Sequence, residues 1–326
     1  MVAALEVVDP GIQTTIQDLP GRVGSAHRGF SPAGPADPFS LRAANLLVGN
    51  DPQAPALEIP LVRITLAVLC EGVLAVTGAA GVELTINGSP RPAWEGVRVR
   101  PGQEIQLAMS GAPGFRAYLA FSGGFAVREL LDSGSTYLLA GVGGLAGRAL
   151  VAGDILQVNA GQSRALRMPV ALRPVFARDW EVEVVKGPHA DPEYLTPTDW
   201  KLFTAEPWRV DLNSNRMATR LRGPRFEWAR ADGGIAGDHP SNILETPYPV
   251  GGVNVSGDEP VVLGPEGQTC GGFVIIGVVP RAARWRIGQC RPGRDTVTFR
   301  EVSVAQAVEM AQRQRAALDP ARWDRL

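Results

Sequence analysis

Apolar and polar positions along this chain repeat mostly at strand-like intervals. Ile64-Thr65-Leu66-Ala67-Val68, Val82–Ile86 and Ile105–Leu107 alternate in the period of half-buried strands. Residues 5–9, Gly72–Val76 and Arg116–Phe121 have strand composition, and Asn87-Gly88 marks a tight hairpin. Further on, Trp180–Lys186, Trp208–Leu212, Val261–Leu263, Phe273–Val279 and Thr296–Phe299 read the same way. Helices are few. Asp37-Pro38 opens one, with Asp as N-cap, Pro at the first helical position, Leu41, Ala44, Leu47 and Val48 on one face, and Gly49 as the stop. Thr196-Pro197-Thr198-Asp199 opens a second, with Asp at the capping-box position usually held by Glu. Ser303 with Gln306 caps a final helix reaching about Leu318.

The segment 159–174 is polar and poorly patterned, so it is the expected linker between an amino-terminal unit, 1–165, and a carboxy-terminal unit, 166–326, that ends in the last helix. One local pattern occurs in both halves: Arg100-Pro101-Gly102-Gln103, Val151-Ala152-Gly153-Asp154 and Arg291-Pro292-Gly293-Arg294 each precede an alternating segment. That placement is expected of a turn feeding a strand, and it supports two related β units. With 38 glycines and 27 prolines in 326 residues, turns and short strands are favoured over long helices.

Composition excludes several classes. A formal net charge of −1 gives no electrostatic footprint for nucleic acid or an anionic membrane. No apolar run is long enough to span a bilayer, and residues 1–12 lack the features of a secretory leader, so a cytoplasmic protein is expected. The three cysteines (Cys70, Cys270, Cys290) and three histidines (His27, His189, His239) show no metal-ligand spacing, so neither a disulfide framework nor a metal site is indicated. A phosphate loop of the GxxxxGK[ST] form is absent, and no base is visible that would pair with Cys270 as a nucleophile.

The densest polar and glycine constellation lies in residues 213–273. It holds Asn213-Ser214-Asn215-Arg216, Arg220-Leu221-Arg222-Gly223-Pro224, Trp228-Ala229-Arg230-Ala231-Asp232-Gly233-Gly234, Gly237-Asp238-His239-Pro240-Ser241-Asn242 and Glu266-Gly267-Gln268-Thr269-Cys270-Gly271-Gly272-Phe273. Polar side chains separated by glycine and proline suit loops that aim hydrogen-bonding groups at a small ligand. Asp232 before two glycines reads equally well as a turn former or as a partner for an amide or guanidinium N–H. His239 is held extended by Pro240, where it could donate to or accept from a substrate. Arg216 and Arg148 fit either surface ion pairs or recognition of a planar oxyanion. Ser241 and Asn242 could equally cap or turn the chain.

These residues, with Gly11–Arg22, Ser31–Asp37 and Ala44–Asn50 near the start, resemble the carboxyltransferase domain of urea carboxylase. That domain belongs to the wider family that includes allophanate hydrolase subunit 2, KipA and the C subunit of 5-oxoprolinase. The resemblance spans roughly residues 5–305. It implies a mainly β protein: two cyclophilin-like antiparallel β-barrel units packed together, with a few short helices and the ligand site in the cleft between them. It implies catalytic roles for Asp232, His239 and Asn242, and substrate contacts from Gln17, Asp18, Asn50, Ser135, Arg148, Asn215, Arg216, Ser241, Gln268 and Thr269, with no metal. The implied chemistry is carboxyl transfer to a small amide or guanidine-like acceptor from carboxybiotin on a separate carrier, in which biotin takes the proton once the carboxyl group departs. A 5-oxoprolinase role, using ATP through a partner, and a non-catalytic KipA-like binding role are the alternatives. Implied partners are a protein like KipI or like the B subunit of 5-oxoprolinase, with biotin carboxylase and biotin carrier subunits in the first case; the chain alone is expected to be inactive.

The family pattern places Glu after Asp-Gly-Gly, where this chain has Ile235, and an arginine is lost at Asp132-Ser133-Gly134-Ser135-Thr136. An isoleucine against a urea or guanidinium acceptor would leave N–H donors unpaired, at about 1–3 kcal/mol each. Weak urea and guanidine binding is therefore expected, with preference for an acceptor having an apolar portion near Ile235.

Overall fold

The computed structural model describes residues 1–61 and 63–326. It is mainly β, as the alternation predicts, and divides into two compact units. One comprises Met1–Gly24, Pro32–Phe176 and Gln314–Leu326; the other comprises Ser25–Ser31 and Ala177–Arg313.

In the first unit the strands are β1 (Val2–Asp9), β2 (Thr15–Gln17), β3 (Ala56–Pro60), β4 (Ile64–Val68), β5 (Gly72–Gly78), β6 (Val82–Ile86), β7 (Ser89–Arg91), β8 (Gly96–Val99), β9 (Glu104–Met109), β10 (Arg116–Phe121), β11 (Ile155–Val158) and the short β12 (Leu166–Arg167). They form a six-stranded sheet, β11-β1-β4-β9-β6-β7, and a five-stranded sheet, β2-β3-β10-β5-β8. Leu66, Leu107, Leu74 and Leu119, drawn from both sheets, bury their side chains in one cluster. Helix α1 (Pro38–Val48) has the expected caps: the Asp37 carboxylate accepts from Ser40 N at 2.9 Å, and Gly49 closes the helix at φ 84°. Asn87 and Gly88 both have positive φ, the geometry of a hairpin turn that matches strand twist.

The second unit contains β13 (Asp179–Lys186), α2 (Pro197–Ala205), β14 (Trp208–Val210), β15 (Ala218–Arg222), β16 (Asn242–Pro247), β17 (Gly252–Ser256), β18 (Glu259–Leu263), β19 (Cys270–Phe273), β20 (Ile275–Val278), α3 (Arg284–Gln289) and β21 (Thr296–Glu301). Seven of these strands close a barrel in the order β13-β20-β17-β18-β15-β14-β21, antiparallel except where β13 meets β21. Leu221, Val262, Val253 and Val255 are fully buried, while the alternate positions of the same strands, Arg220, Val261 and Asn254, point outward. β16 and β19 form a separate two-stranded ribbon. The chain closes with α4 (Val304–Ala317), capped by Ser303 and Gln306 as expected, and β22 (Asp324–Arg325).

The division expected at 165/166 falls instead at 176/177. Segment 166–176 holds to the first unit, because β12 pairs with β22 and Met168 N donates to Trp94 O. The tail joins that unit through the same pairing, with Leu326 N donating to Ala165 O. Ser25–Ser31 groups with the second unit, where Ser31 Oγ donates to Gly267 O at 2.5 Å. The three recurrent turns share one geometry. Gly102, Gly153 and Gly293 have φ between 72° and 86°, and the next residue's N–H donates to the carbonyl three back. Each turn feeds a strand: β9, β11 or β21.

Candidate functional site

The loop carrying Trp228 to Asn242 is fixed from beneath by one carboxylate. Asp199, 2% exposed, completes the α2 capping box by accepting from Thr196 N at 3.0 Å and Thr196 Oγ at 2.8 Å. The same side chain accepts from Glu227 N at 2.8 Å and Trp228 N at 3.0 Å. Trp228 adopts φ 62°, donates its indole N–H to Asp258, and meets the His239 ring edge-on at 5.6 Å. Arg230 lies over the Tyr194 ring and donates to the carbonyls of Pro240 and Asn242.

Within this frame Asp232 is exposed, and its carboxylate accepts from Gly234 N at 2.8 Å, the turn-forming geometry. His239 Nδ1 accepts from Ser241 N at 3.1 Å and lies 2.8 Å from Ser241 Oγ, which accepts from Gly257 N. An accepting Nδ1 places the proton of the neutral ring on Nε2, making that atom a donor. Asn242 adjoins Ser241 at the start of β16. Ile235 does not face a buried acceptor: it is 93% exposed on the short 3₁₀ turn Gly234–Ala236, so the desolvation cost expected from sequence has no basis there.

On the outer face of the same barrel lies a cavity of about 760 Å³, whose lining includes none of residues 228–242. That volume falls in the range of small-molecule sites, roughly 300–1,000 Å³. Its floor is the cross-strand row Arg220–Val261–Asn254, in which β15, β18 and β17 present directly paired residues, flanked by Leu263 and Ser256. Tyr248 and Phe273 form a wall; Asn213, Ser214, Asn215 and Gln268 line the rim. Asn254 is 4% exposed, its side chain hydrogen-bonds the Tyr248 hydroxyl, and its buried Oδ1 has no donor among the described residues. Burial pushes the Tyr248 phenol above its ordinary range, so it stays neutral. Arg222 is held by Asp211 and Glu259, whereas the Arg220 guanidinium has no ion-pair partner among the described residues.

The remaining residues named from sequence lie elsewhere in their units. Arg216 is buried against Glu266 at 2.6 Å, and Thr269 contributes its carbonyl to Tyr248 N. In the first unit, Asp18 accepts from Ser133 Oγ, Ser135 Oγ and Gly134 N; Gln17 spans Thr15, Thr136 and Gly34. Asn50 ties Asn45, Phe121 and Gly123 together, and Arg148 forms a bidentate pair with Asp154 at 2.7 and 2.8 Å. The structure thus brings Asn215 and Gln268 to the cavity, groups Asp232, His239, Ser241 and Asn242 in the loop, and gives the others partners within their own folds. Tyr248 and Asn254 carry no motif. The signal for Asn254 was the alternation Val253-Asn254-Val255-Ser256, which puts two polar side chains on one strand face; Tyr248 had none. Cys270 is exposed, and the hydrogen bond its S–H donates to the Glu245 carboxylate raises its thiol above the usual range, contrary to a poised nucleophile.

A closed β-barrel with a polar small-molecule cavity on its outer face, and no clustered metal ligands among the described residues, defines the class of this site. Residues 28–301 match the carboxyltransferase domain, subdomain A and B, and the chain belongs to that family. It is 38% identical over 323 residues to urea amidolyase of Saccharomyces cerevisiae, covering 97% of this chain but 17% of that protein. It is 31% identical to the C subunit of 5-oxoprolinase from Escherichia coli, covering 98% of each. The crystal structure of Kluyveromyces lactis urea carboxylase superposes with a TM-score of 0.92 at 38% identity, over 97% of this chain and 29% of that one. No helix among the described residues is long and apolar enough to cross a membrane.

Proposed function

We propose that this chain is the acceptor-binding component of a biotin-dependent carboxylase-type system, moving a carboxyl group onto the nitrogen of a small amide-type acceptor. The observation that carries this reading is the composition of the cavity. Its lining offers amide, hydroxyl and guanidinium groups, but no carboxylate, imidazole, thiol or lysine. With Tyr248 neutral, the lining supplies orientation and hydrogen bonds rather than a general base. A cavity of about 760 Å³ also exceeds what a urea-sized acceptor fills, leaving room for a second reactant. Carboxybiotin, when delivered on its carrier, supplies the carboxyl group and then a ring nitrogen able to take the acceptor's proton. Asn215 and Gln268 would hold the acceptor N–H groups in line, and Tyr248 and Phe273 would exclude water.

A second reading, a 5-oxoprolinase component working with a B-type partner that handles ATP, is favoured by the match over 98% of both chains. Two reconstitutions separate them. Labelled bicarbonate incorporation with biotin carboxylase, carrier and ATP is expected for the first, and 5-oxoproline-dependent ATP hydrolysis with the B-type partner for the second. The chain alone should turn over neither urea nor 5-oxoproline; turnover by the pure single chain would refute both.

A further inference from the structure

Two loops form the rim of the cavity, and a buried pair of charges ties one to the other. The loops leave β15 and β18 at the end of their paired stretch, where Ala218 stands opposite Leu263. One presents Asn215 and Met217 to the cavity, the other Gly267 and Gln268. Arg216 and Glu266 are chain neighbours of these residues but form no part of the lining. Their side chains are 6% and 4% exposed, and Arg216 Nε donates to Glu266 Oε1 at 2.6 Å. The backbones meet as closely: Glu266 N donates to Arg216 O at 3.1 Å, and Gly264 N to Met217 O at 2.8 Å. At Gly264 and Gly267 this approach leaves no room for a Cβ against the Arg216 and Met217 carbonyls. A buried ion pair adds little net stability, because desolvation of both charges offsets their attraction. Its directional donor and acceptor do fix the distance and angle between the segments that carry them.

We infer that Arg216 and Glu266 are positioning residues: their ion pair sets the spacing of the rim, and through it the placement of Asn215 and Gln268 toward the acceptor. This rests on reading the cavity as the acceptor site, and it gives Arg216 a part other than the substrate contact implied by the resemblance. Neither side chain lines the cavity, so each acts through its chain neighbours. The role depends on the spacing that the pair imposes, not on charge offered to a ligand.

The test is the double variant Arg216→Met with Glu266→Leu, which removes the tie without stranding a charge and should keep the denaturation midpoint close to native. In the system reconstituted with biotin carboxylase, carrier and ATP, labelled bicarbonate incorporation should show the KM for urea raised about tenfold, with kcat changed by less than about threefold. Hydrogen exchange supplies a reading that needs no substrate. At the Asn215 and Gly267 amides, which donate to Ala218 O and Gly264 O, it should quicken about tenfold, while Val253 and Val255 in the barrel wall stay as they are. If the double variant does not fold, Glu266→Asp carries both measurements in the same directions, since it keeps the charge and shortens the tie by one methylene. Native exchange at the two rim amides, a native KM in a variant whose rim exchanges faster, or a KM loss confined to variants whose midpoint falls would overturn the assignment. No carboxyl transfer to urea by the native system would count against the functional reading, and exchange at the two amides would still decide the tie. Transfer by the native system with unaltered rim exchange in the variant would sink this inference and spare that reading.

Discussion

Asp199→Asn is a single-atom test of how the loop from Trp228 to Asn242 is held. The carboxylate takes four donors: Glu227 N on Oδ1, and Thr196 N, Thr196 Oγ and Trp228 N on Oδ2. An asparagine can keep one oxygen in place. The favourable orientation retains it at Oδ2, turns the NH₂ toward Glu227 N, and loses the charge on the remaining bonds. One backbone N–H is then left facing a donor, at about 1–3 kcal/mol, so a destabilisation of roughly 2 kcal/mol is expected. Asp199→Ala leaves Thr196 Oγ as the N-cap but removes the reciprocal half of the box and strands both Glu227 N and Trp228 N, for roughly 4 kcal/mol in total. That is a large part of the stability of a typical domain, which makes the asparagine the informative variant. Guanidinium denaturation followed by tryptophan fluorescence reads the midpoint; with two units, the transition of the second must be resolved rather than assumed two-state. Hydrogen exchange at the Glu227 and Trp228 amides reads the local effect. A loss below about 0.5 kcal/mol, or unchanged exchange at those two amides, would refute the clamp.

Two further outcomes follow from the same geometry. His189 accepts from Ile275 N at 3.0 Å and contacts Tyr194; burial, then the nearby Arg230 charge, lowers its pKa below the ordinary 6.5. The unfolded chain then takes up the proton first, so this contribution to stability is complete above about pH 6.5 and declines as pH falls toward the lowered folded value. His189→Gln, which can still accept, should flatten the pH dependence of the denaturation midpoint below 6.5, and identical slopes in the two proteins would rule this out. Ile235→Glu, at a position 93% exposed, should change stability by less than about 0.5 kcal/mol and leave urea binding unaltered by calorimetry; a tenfold gain in urea affinity would restore the role read from sequence.

What could be read in advance was local. Asp37-Pro38, the Thr196–Asp199 box and Ser303–Gln306 each sit within four residues of the helix end they cap, and the three glycine turns are complete within their own tetrapeptides. Asn87-Gly88 needed only its own φ values. What was not legible depends on distant partners. The Asp199 side chain shows as a cap in sequence, but its bonds to Glu227 and Trp228 are made across 28 and 29 residues. Asn254 became notable only when its strand was buried with no donor opposite the oxygen. Ile235 was placed against a ligand by its motif neighbours, whereas a 3₁₀ turn carries it into solvent. Domain limits slipped for the same reason, since β22 and Ser31 each join a unit that chain order does not indicate.

The polar density of the Asp232–Asn242 segment illustrates how one composition serves two ends. An irregular backbone must find partners for its N–H and C=O groups outside any ladder, and short polar side chains are the nearest supply. Asp232 turns on Gly234 N; His239 Nδ1 takes Ser241 N; Ser241 Oγ takes Gly257 N; Arg230 takes two carbonyls. Most of the groups that made the segment look like a site are therefore occupied in holding its shape. The His239 ring is the exception, because its Nδ1 and face are fixed by Ser241 and Trp228 while the opposite nitrogen takes no part in the loop's own bonding. A ring anchored on one side, in one tautomer, presents a donor of fixed direction.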